Sequence, residues 1–163
     1  MNRSIWKATL TEHHSPAWPC PACAKGTLKI IPKSLVYKET VESKRANREE
    51  WWTPDEITYA FTAWVKCNNQ SCSQEVVVSG IGGAELYQYL DSDGEPDSSI
   101  RDYFMPRFCF PMPDIFEIPK KCPKEIKQEL CAGFSLFWAD PAATANRVRI
   151  ALERLMDHLG IPE

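Results

Sequence analysis

Residues 20–23 read Cys-Pro-Ala-Cys, and residues 67–72 read Cys-Asn-Asn-Gln-Ser-Cys. Structural Zn²⁺ takes four ligands in a tetrahedron, and two short turns with two thiolates each supply such a set. Residues typical of turns surround both pairs: proline and glycine near the first, two asparagines inside the second. The spacing predicts one structural zinc ion held by Cys20, Cys23, Cys67 and Cys72. The alternative is four buried thiols that fall in pairs by chance, since free cysteine is often buried.

Other metal-ligating or reactive groups give weaker patterns. His13 and His14 precede the first pair and could replace one thiolate, although a histidine pair before Ser-Pro is typical of a solvated loop. The remaining cysteines, Cys109, Cys122 and Cys131, have no paired spacing and are predicted to be core or surface thiols. Four thiolates leave no coordination position for water, so the sequence predicts no hydrolytic metal centre.

Segments typical of β-strands flank both cysteine pairs. Residues 26–32, 34–41, 57–65 and 75–80 are rich in β-branched and aromatic side chains. Residues 80–85 begin like a dinucleotide-binding loop but carry Glu85 where the third glycine is needed, which predicts a flexible turn. Residues 91–97 alternate acidic side chains without the glycine spacing of a calcium loop, and predict an acidic turn.

Helical periodicity begins after residue 123. Ile126, Leu130 and Phe134 recur at four-residue steps, and Asp140-Pro141 is typical of an N-cap followed by a first helical position. Gly160 and Pro162 are expected to end the second helix. Its apolar row comprises Val148, Leu152, Leu155 and Leu159, and small residues at its start, Ala142, Ala143 and Ala145, are predicted to let the first helix approach closely.

The predicted fold class is therefore α+β: a zinc-ribbon-like antiparallel β module followed by a C-terminal helical hairpin. Residues 1–102 would form the β module and residues 120–163 the hairpin. Between them, residues 103–119 contain repeated prolines, which exclude a regular helix or a central strand and predict an extended connector.

Composition limits the compartment and the partners. The 163 residues carry a formal charge of −3, which argues against a surface that binds nucleic acid all over. No apolar run approaches the length that spans a bilayer, and the N-terminus lacks a signal-peptide core, so a cytoplasmic protein without membrane contact is predicted. In a reducing compartment, seven cysteines favour metal ligation over disulfides.

A local nucleic-acid contact stays open in two places. Trp51 and Trp52 follow a segment of mixed charge and form either stacking platforms or the cover of a solvated hairpin tip. Arg147, Arg154 and His158 fall near one helical face that could touch phosphate. The alternative is a solvated face in which Arg154 pairs with a neighbouring acid.

The helical part resembles the opening of the DUF4145 domain. The resemblance rests on residues 118–126 (IPKKCPKEI), on the alanines at 142–143 and on residues 149–155 (RIALERL). A zinc-ribbon-like front before a proline-rich bridge is also similar to the arrangement in stand-alone bacterial members. The resemblance implies a relation to HEPN helical bundles and a setting in prokaryotic restriction or phage defence. It does not imply a complete ribonuclease motif, because His158 follows Arg154 after three residues instead of four to six.

Three functions are compatible with these patterns. The favoured one is a non-enzymatic zinc-binding adaptor whose helical hairpin docks on a second copy or on a partner protein. Such docking would cover the apolar side chains of an incomplete bundle, namely Phe134, Phe137, Trp138, Leu155 and Leu159. The alternatives are a nucleic-acid-binding zinc-ribbon module and a truncated or degenerate HEPN-type ribonuclease.

Overall fold

The computed structural model describes residues 3–90, 92 and 94–161. Its five strands are β1 (Leu28–Ile30), β2 (Val36–Glu39), β3 (Thr58–Cys67), β4 (Glu75–Leu90) and β5 (Pro96–Phe110). Its α-helices are α1 (Val41–Ala46), α2 (Lys124–Leu136) and α3 (Pro141–Leu159), and two 3₁₀ helices cover Arg3–Trp6 and Pro54–Glu56. The α+β class is confirmed: an antiparallel sheet is followed by a C-terminal helical hairpin.

The sheet is built around β3. β1 and β2 both pair with one side of β3, and β4 and β5 follow on its other side. Side chains of β3 alternate between exposed and buried from Ala60 to Cys67, as expected for a strand with one face on the core. The register places Leu28 opposite Cys67, which brings the end of β3 beside the first cysteine turn.

The predicted turn at residues 80–85 is wrong, because β4 continues through it to Leu90. The glycines serve close packing between strands. A Cβ on Gly80 would collide with the backbone oxygen of Met105, and one on Gly82 would lie 2.6 Å from the Phe104 ring. The β4–β5 register also shifts between Ser79 and Gly80, which is where glycine is expected in a strand.

β5 overlaps the segment predicted as a connector. Its residues 103–110 pair with β4, so the extended proline-rich path outside the sheet begins after Phe110. Because β5 is an edge strand, Pro106 costs the sheet no ladder bond, in agreement with the exclusion of a central strand. The division of the chain at residues 102 and 119 stays a prediction.

Two further predictions concern the hairpin tip before Trp51 and the acidic turn at residues 91–97. A short helix, α1, stands where the sequence predicts a solvated hairpin tip; the Thr40 side chain caps it by accepting from the Ser43 N–H at 3.2 Å. Asp91 and Asp93 of the predicted acidic turn lie outside the described residues, as does Pro162.

One aromatic cluster joins the helices to the sheet. Trp18 is fully buried, and its indole N–H donates to the Ile5 carbonyl at 2.8 Å. The Trp138 ring lies 5.1 Å from that of Trp18, and its N–H donates to the Trp6 carbonyl at 2.9 Å. Phe134 of α2 is also buried in this core. Front and rear therefore share one hydrophobic core.

The helical hairpin is closed by small residues and by one buried acid. Gly133 meets α3 closely, since a Cβ there would lie 3.2 Å from the Arg147 Cβ, and Ala151 is buried. Glu129 accepts from Arg147 at 2.8 Å and pairs with Arg154 at 3.1 Å. The expected contact through the three alanines is wrong in detail, because Ala142 and Ala145 are exposed. Asp140 and Gly160 cap α3 as predicted.

No helix in the described part of the chain is both long enough and apolar enough to cross a membrane.

Candidate metal centre

Each cysteine pair lies in a tight turn held by backbone hydrogen bonds. In the first turn, the Cys20 N–H donates to the Gly26 carbonyl and the Ala24 N–H donates to the Cys20 carbonyl, both at 2.9 Å. In the second, the Cys67 N–H donates to Gln74 at 2.8 Å and the Cys72 N–H donates to Asn69 at 2.9 Å. Each turn thus fixes two sulfurs on one side of its backbone.

Pairing between the two turns brings the four sulfurs together. Beyond the last β1–β3 pair, the Asn68 N–H donates to the Thr27 carbonyl at 3.0 Å. The Asn68 side-chain oxygen also accepts a hydrogen bond from the Thr27 N–H, at 2.9 Å. The asparagines that predict a turn in the sequence therefore also join the two turns.

The four sulfurs form one compact cluster. All of them lie within 4.8 Å of one another. The Sγ atoms of Cys20 and Cys72 are 3.7 Å apart, as are those of Cys23 and Cys67. A tetrahedron with Zn–S bonds of about 2.3 Å has edges of about 3.8 Å, so both pairs already have the spacing of a tetrahedral site.

Backbone donors favour charge on the sulfurs. The Ala22 N–H points at the Cys20 Sγ and the Asn69 N–H points at the Cys67 Sγ, each at 3.4 Å. Backbone N–H groups of Gly26 and Lys25 lower the pKa of Cys23 to about 6, whereas burial raises the pKa of Cys67 to about 12. Four thiolates so close together need a cation to share them, since like charges oppose ionisation.

The residues fit a metal ion by their donor set and their space. Four sulfur donors, alternately buried and half-buried, are typical of a closed structural site. Gly26 leaves the room that the cluster needs, because a Cβ there would collide with the Cys67 Sγ and lie 2.9 Å from the Asn68 Oδ1. The arrangement can hold one ion and leaves it no open position for a substrate.

Gly26→Ala is expected to weaken metal affinity by about 10- to 100-fold, since overpacking costs about 1–3 kcal/mol. Competition with a coloured zinc chelator measures the affinity. The matched control is Gly94→Ala: Gly94 has φ +82° and no atom within 4 Å of the place that a Cβ would take, so that change strains only a distant turn. Equal affinities for the two variants would contradict the crowded geometry described for Gly26.

The other cysteines and the histidines lie apart from this cluster. Among the described residues, the metal-compatible group contains only the four cysteines. His13 and His14 line a different cavity, beside Tyr37 and Asp102. Cys109 is buried, and burial raises its pKa to about 12, so it is an unreactive thiol. Cys131 is exposed, and partial desolvation raises its pKa as well.

The side chains predicted as nucleic-acid contacts have different surroundings. Trp51 is 61% exposed, whereas Trp52 is partly buried. Arg147 and Arg154 both bind Glu129, so Arg154 has the acidic partner that the sequence offers as its alternative. His158 is exposed in the last turn of α3. Nucleic-acid binding by these residues stays a prediction.

Sequence reasoning missed a cluster of two tyrosines and an aspartate. The Tyr37 hydroxyl donates to the Asp102 Oδ2 at 3.1 Å, and the Tyr59 hydroxyl donates to the Oδ1 at 3.4 Å. These residues come from three different strands. β2 and β5 lie on opposite sides of β3 in the sheet, so only the tertiary fold brings these side chains together, and no short-range pattern in the sequence predicts it.

Comparison with known proteins gives one family. Residues 8–109 match the family model described as "Domain of unknown function (DUF8608)", and this match covers more than half of the chain. No curated protein and no solved structure matches. The matched range includes all five strands, to within one residue of the end of β5, and all four clustered cysteines.

The resemblance to DUF4145 is wrong, because the family that matches is a different one. The quoted residues at 142–143 and 149–155 follow the pattern of an amphipathic helix with an alanine start, which α3 satisfies for reasons of helix capping and packing alone. No other observation supports what the DUF4145 resemblance implied, namely a relation to HEPN bundles, ribonuclease activity and a phage-defence setting.

Proposed function

Because the chain belongs to the DUF8608 family, whose description states no function, we propose from the geometry that it is a non-enzymatic interaction protein. A structural zinc ion stabilises its sheet, and α3 docks on a second copy of the chain. The compact cluster of four sulfurs is the observation that carries this proposal. Tetrahedral sulfur sites select zinc or iron, and zinc is the common ion in closed sites on paired turns.

The absence of an open ligand position argues against catalysis at the metal. Structural zinc sites are closed by four protein ligands, whereas catalytic ones keep a position for water or substrate. The buried Cys109, with its raised pKa, is a poor nucleophile. These features support an interaction role for the metal-bearing part.

The exposed row of α3 supports self-association. Phe134 of α2 is buried, and Phe137 and Trp138, which follow α2, are partly buried against the same core, so these three side chains need no external cover. On α3, in contrast, Val148 is 38% exposed, Leu152 56% and Leu159 62%. With Leu155 this row has steps of four, three and four residues, the spacing with which helices pack side by side.

The charges beside this row favour a second copy as its occupant. Arg149 pairs with Glu153 on the same helix at 2.8 Å, and Arg154 is paired with Glu129. Two copies of α3 can therefore approach without strong like-charge repulsion. A self-complementary apolar helix face is also what a two-fold symmetric dimer needs.

Leu152→Lys is expected to convert a dimer into a monomer with little change in stability. The side chain is exposed in the single chain, so the free energy of unfolding per chain should change by about 0.5 kcal/mol or less. Sedimentation at micromolar concentration measures the mass. Leu86→Lys, at a similarly exposed leucine in the β4–β5 hairpin, is the control and should leave the dimer intact. A monomeric wild-type chain would remove the dimer from the proposal.

A further inference from the structure

β4 and β5 extend beyond the rest of the sheet. β3 pairs with β4 only as far as Thr58 opposite Gly83, whereas β4–β5 pairing continues from Ala84 opposite Asp102 to Leu90 opposite Pro96. We call residues 84–90 and 96–102 the ribbon. Its side chains at 85–90 and 96–101 are all exposed, including three large aliphatic ones on one face, Leu86, Leu90 and Ile100.

The outer edge of β5 carries unpaired backbone groups. Phe104 exchanges both backbone hydrogen bonds with Leu10, at 2.8 and 2.9 Å, so even-numbered residues in this part of β5 direct their N–H and C=O away from β4. The Ser98 N–H likewise points away from β4, because it donates to the Asp97 side chain at 2.7 Å. Within the described chain, no backbone hydrogen bond from another segment reaches Ile100 or Asp102.

A cavity opens beside this edge. It has a volume of about 750 Å³ and is lined by residues that include Glu12, Tyr37, Ile100 and Asp102. Burial, together with the hydrogen bond and negative charge of Asp102, raises the pKa of Tyr37. The negative charge of Glu12 raises the pKa of Tyr37 further. The cavity therefore has an acidic side.

Basic and titratable side chains also border the cavity. His13 and His14 line it, as does Arg101. The Arg101 guanidinium stacks on the Tyr87 ring at 4.2 Å, so its charge is held against the ribbon.

The charge of the surface around the free edge of β5 indicates which kind of molecule can bind there. Between residues 85 and 102 the sequence has six acidic residues and one basic residue. Such a surface repels nucleic acid and also repels a second copy of itself. A basic polypeptide segment is complementary in charge, and an extended one can pair with a free strand edge.

We propose that the free edge of β5 binds an extended, basic segment of a partner protein by strand addition. The segment pairs with the backbone of Ile100 and Asp102 and continues along the outer edge of β5 past Ser98. Its Lys or Arg side chains lie on the face of the ribbon that carries Asp102 and enter the cavity toward Asp102 and Glu12. Its intervening apolar side chains lie on the opposite face, the face of Tyr87 and Arg101. The site is separate from the α3 row, so the two can be tested independently.

The probe is a dye-labelled peptide of alternating lysine and valine, titrated with the protein and followed by fluorescence anisotropy. We expect saturable binding of one peptide per chain that weakens with salt, and no binding of the matching glutamate–valine peptide. Asp102→Asn keeps the side chain's shape and should weaken binding by about tenfold. Glu75→Gln removes an equal charge near the metal end of the sheet and should leave binding unchanged.

A second variant tests the backbone pairing. Ser98→Pro removes an N–H that β4 does not use and places the proline ring at the outer edge, as Pro106 already does further along β5. We expect unchanged thermal unfolding and lost peptide binding. Full binding to Ser98→Pro, or no binding of the lysine–valine peptide to the wild type, would overturn the proposal. Self-association that Ser98→Pro abolishes would also overturn it, by identifying a second copy as the occupant.

Discussion

Cys67→Ser is expected to release the zinc ion and unfold the chain. Cys67 ends β3, pairs in register with Leu28 of β1 and has its sulfur 3.7 Å from that of Cys23. It therefore joins the two turns through both backbone and side chain. Structural zinc contributes about 10–16 kcal/mol of binding free energy in zinc-finger peptides. Because the free energy of unfolding of a whole domain is only about 5–15 kcal/mol, losing the ion removes most of that free energy.

Metal analysis and thermal unfolding by circular dichroism measure this result. The wild type should carry one equivalent of zinc, and Cys67→Ser less than about a tenth of that at equal protein concentration. Cys109→Ser is the matched control, since Cys109 is also a buried cysteine on a strand but lies outside the cluster. It should keep one equivalent. Full zinc content in Cys67→Ser would show that this sulfur is not a ligand.

Loss of the ion is expected to affect the helices as well as the sheet. The sequence alone suggests that the helical hairpin could survive loss of the front. The shared core argues otherwise, because Phe134 and Trp138 pack on residues of the N-terminal part. One cooperative transition in the helical signal is therefore expected for the wild type, without a helical remainder after metal removal.

Trp18→Ala is expected to lower the free energy of unfolding by about 3–5 kcal/mol. Trp18 is fully buried, packs against Trp138 and uses its N–H to hold the Ile5 carbonyl. Truncation leaves a cavity where the sheet, the N-terminal segment and α2 meet. Urea unfolding followed by circular dichroism measures the change.

Trp51→Ala is the control for that measurement. Trp51 is 61% exposed, so its loss should change the free energy of unfolding by about 0.5 kcal/mol or less. Similar losses for both tryptophan variants would contradict the placement of Trp18 at the centre of the core.

The metal site was predictable because its information is local. Two residues separate Cys20 from Cys23, and the turn residues of both pairs lie within a few positions. The helix caps at Asp140 and Gly160 were predictable for the same reason. Each depends on the backbone conformation of a short segment, which residue type constrains directly.

The unbroken course of β4 and the aromatic cluster were not predictable, because their causes are distant in sequence. In the sequence, Gly80 and Gly82 indicate a turn. In the fold, Met105 and Phe104 pack closely over them, and this packing is the reason for glycine at both positions. The contact of Trp138 with Trp6 and Trp18 likewise depends on the tertiary fold. The family resemblance failed on α3 because an amphipathic helix with good caps carries little family information.

Zinc K-edge X-ray absorption on the purified chain decides whether four sulfurs bind one ion. We predict one zinc ion per chain with four sulfur neighbours at about 2.3 Å and no shell of lighter atoms. Fewer than four sulfurs, or a nitrogen or oxygen shell at about 2.0–2.1 Å, would contradict the metal centre described above.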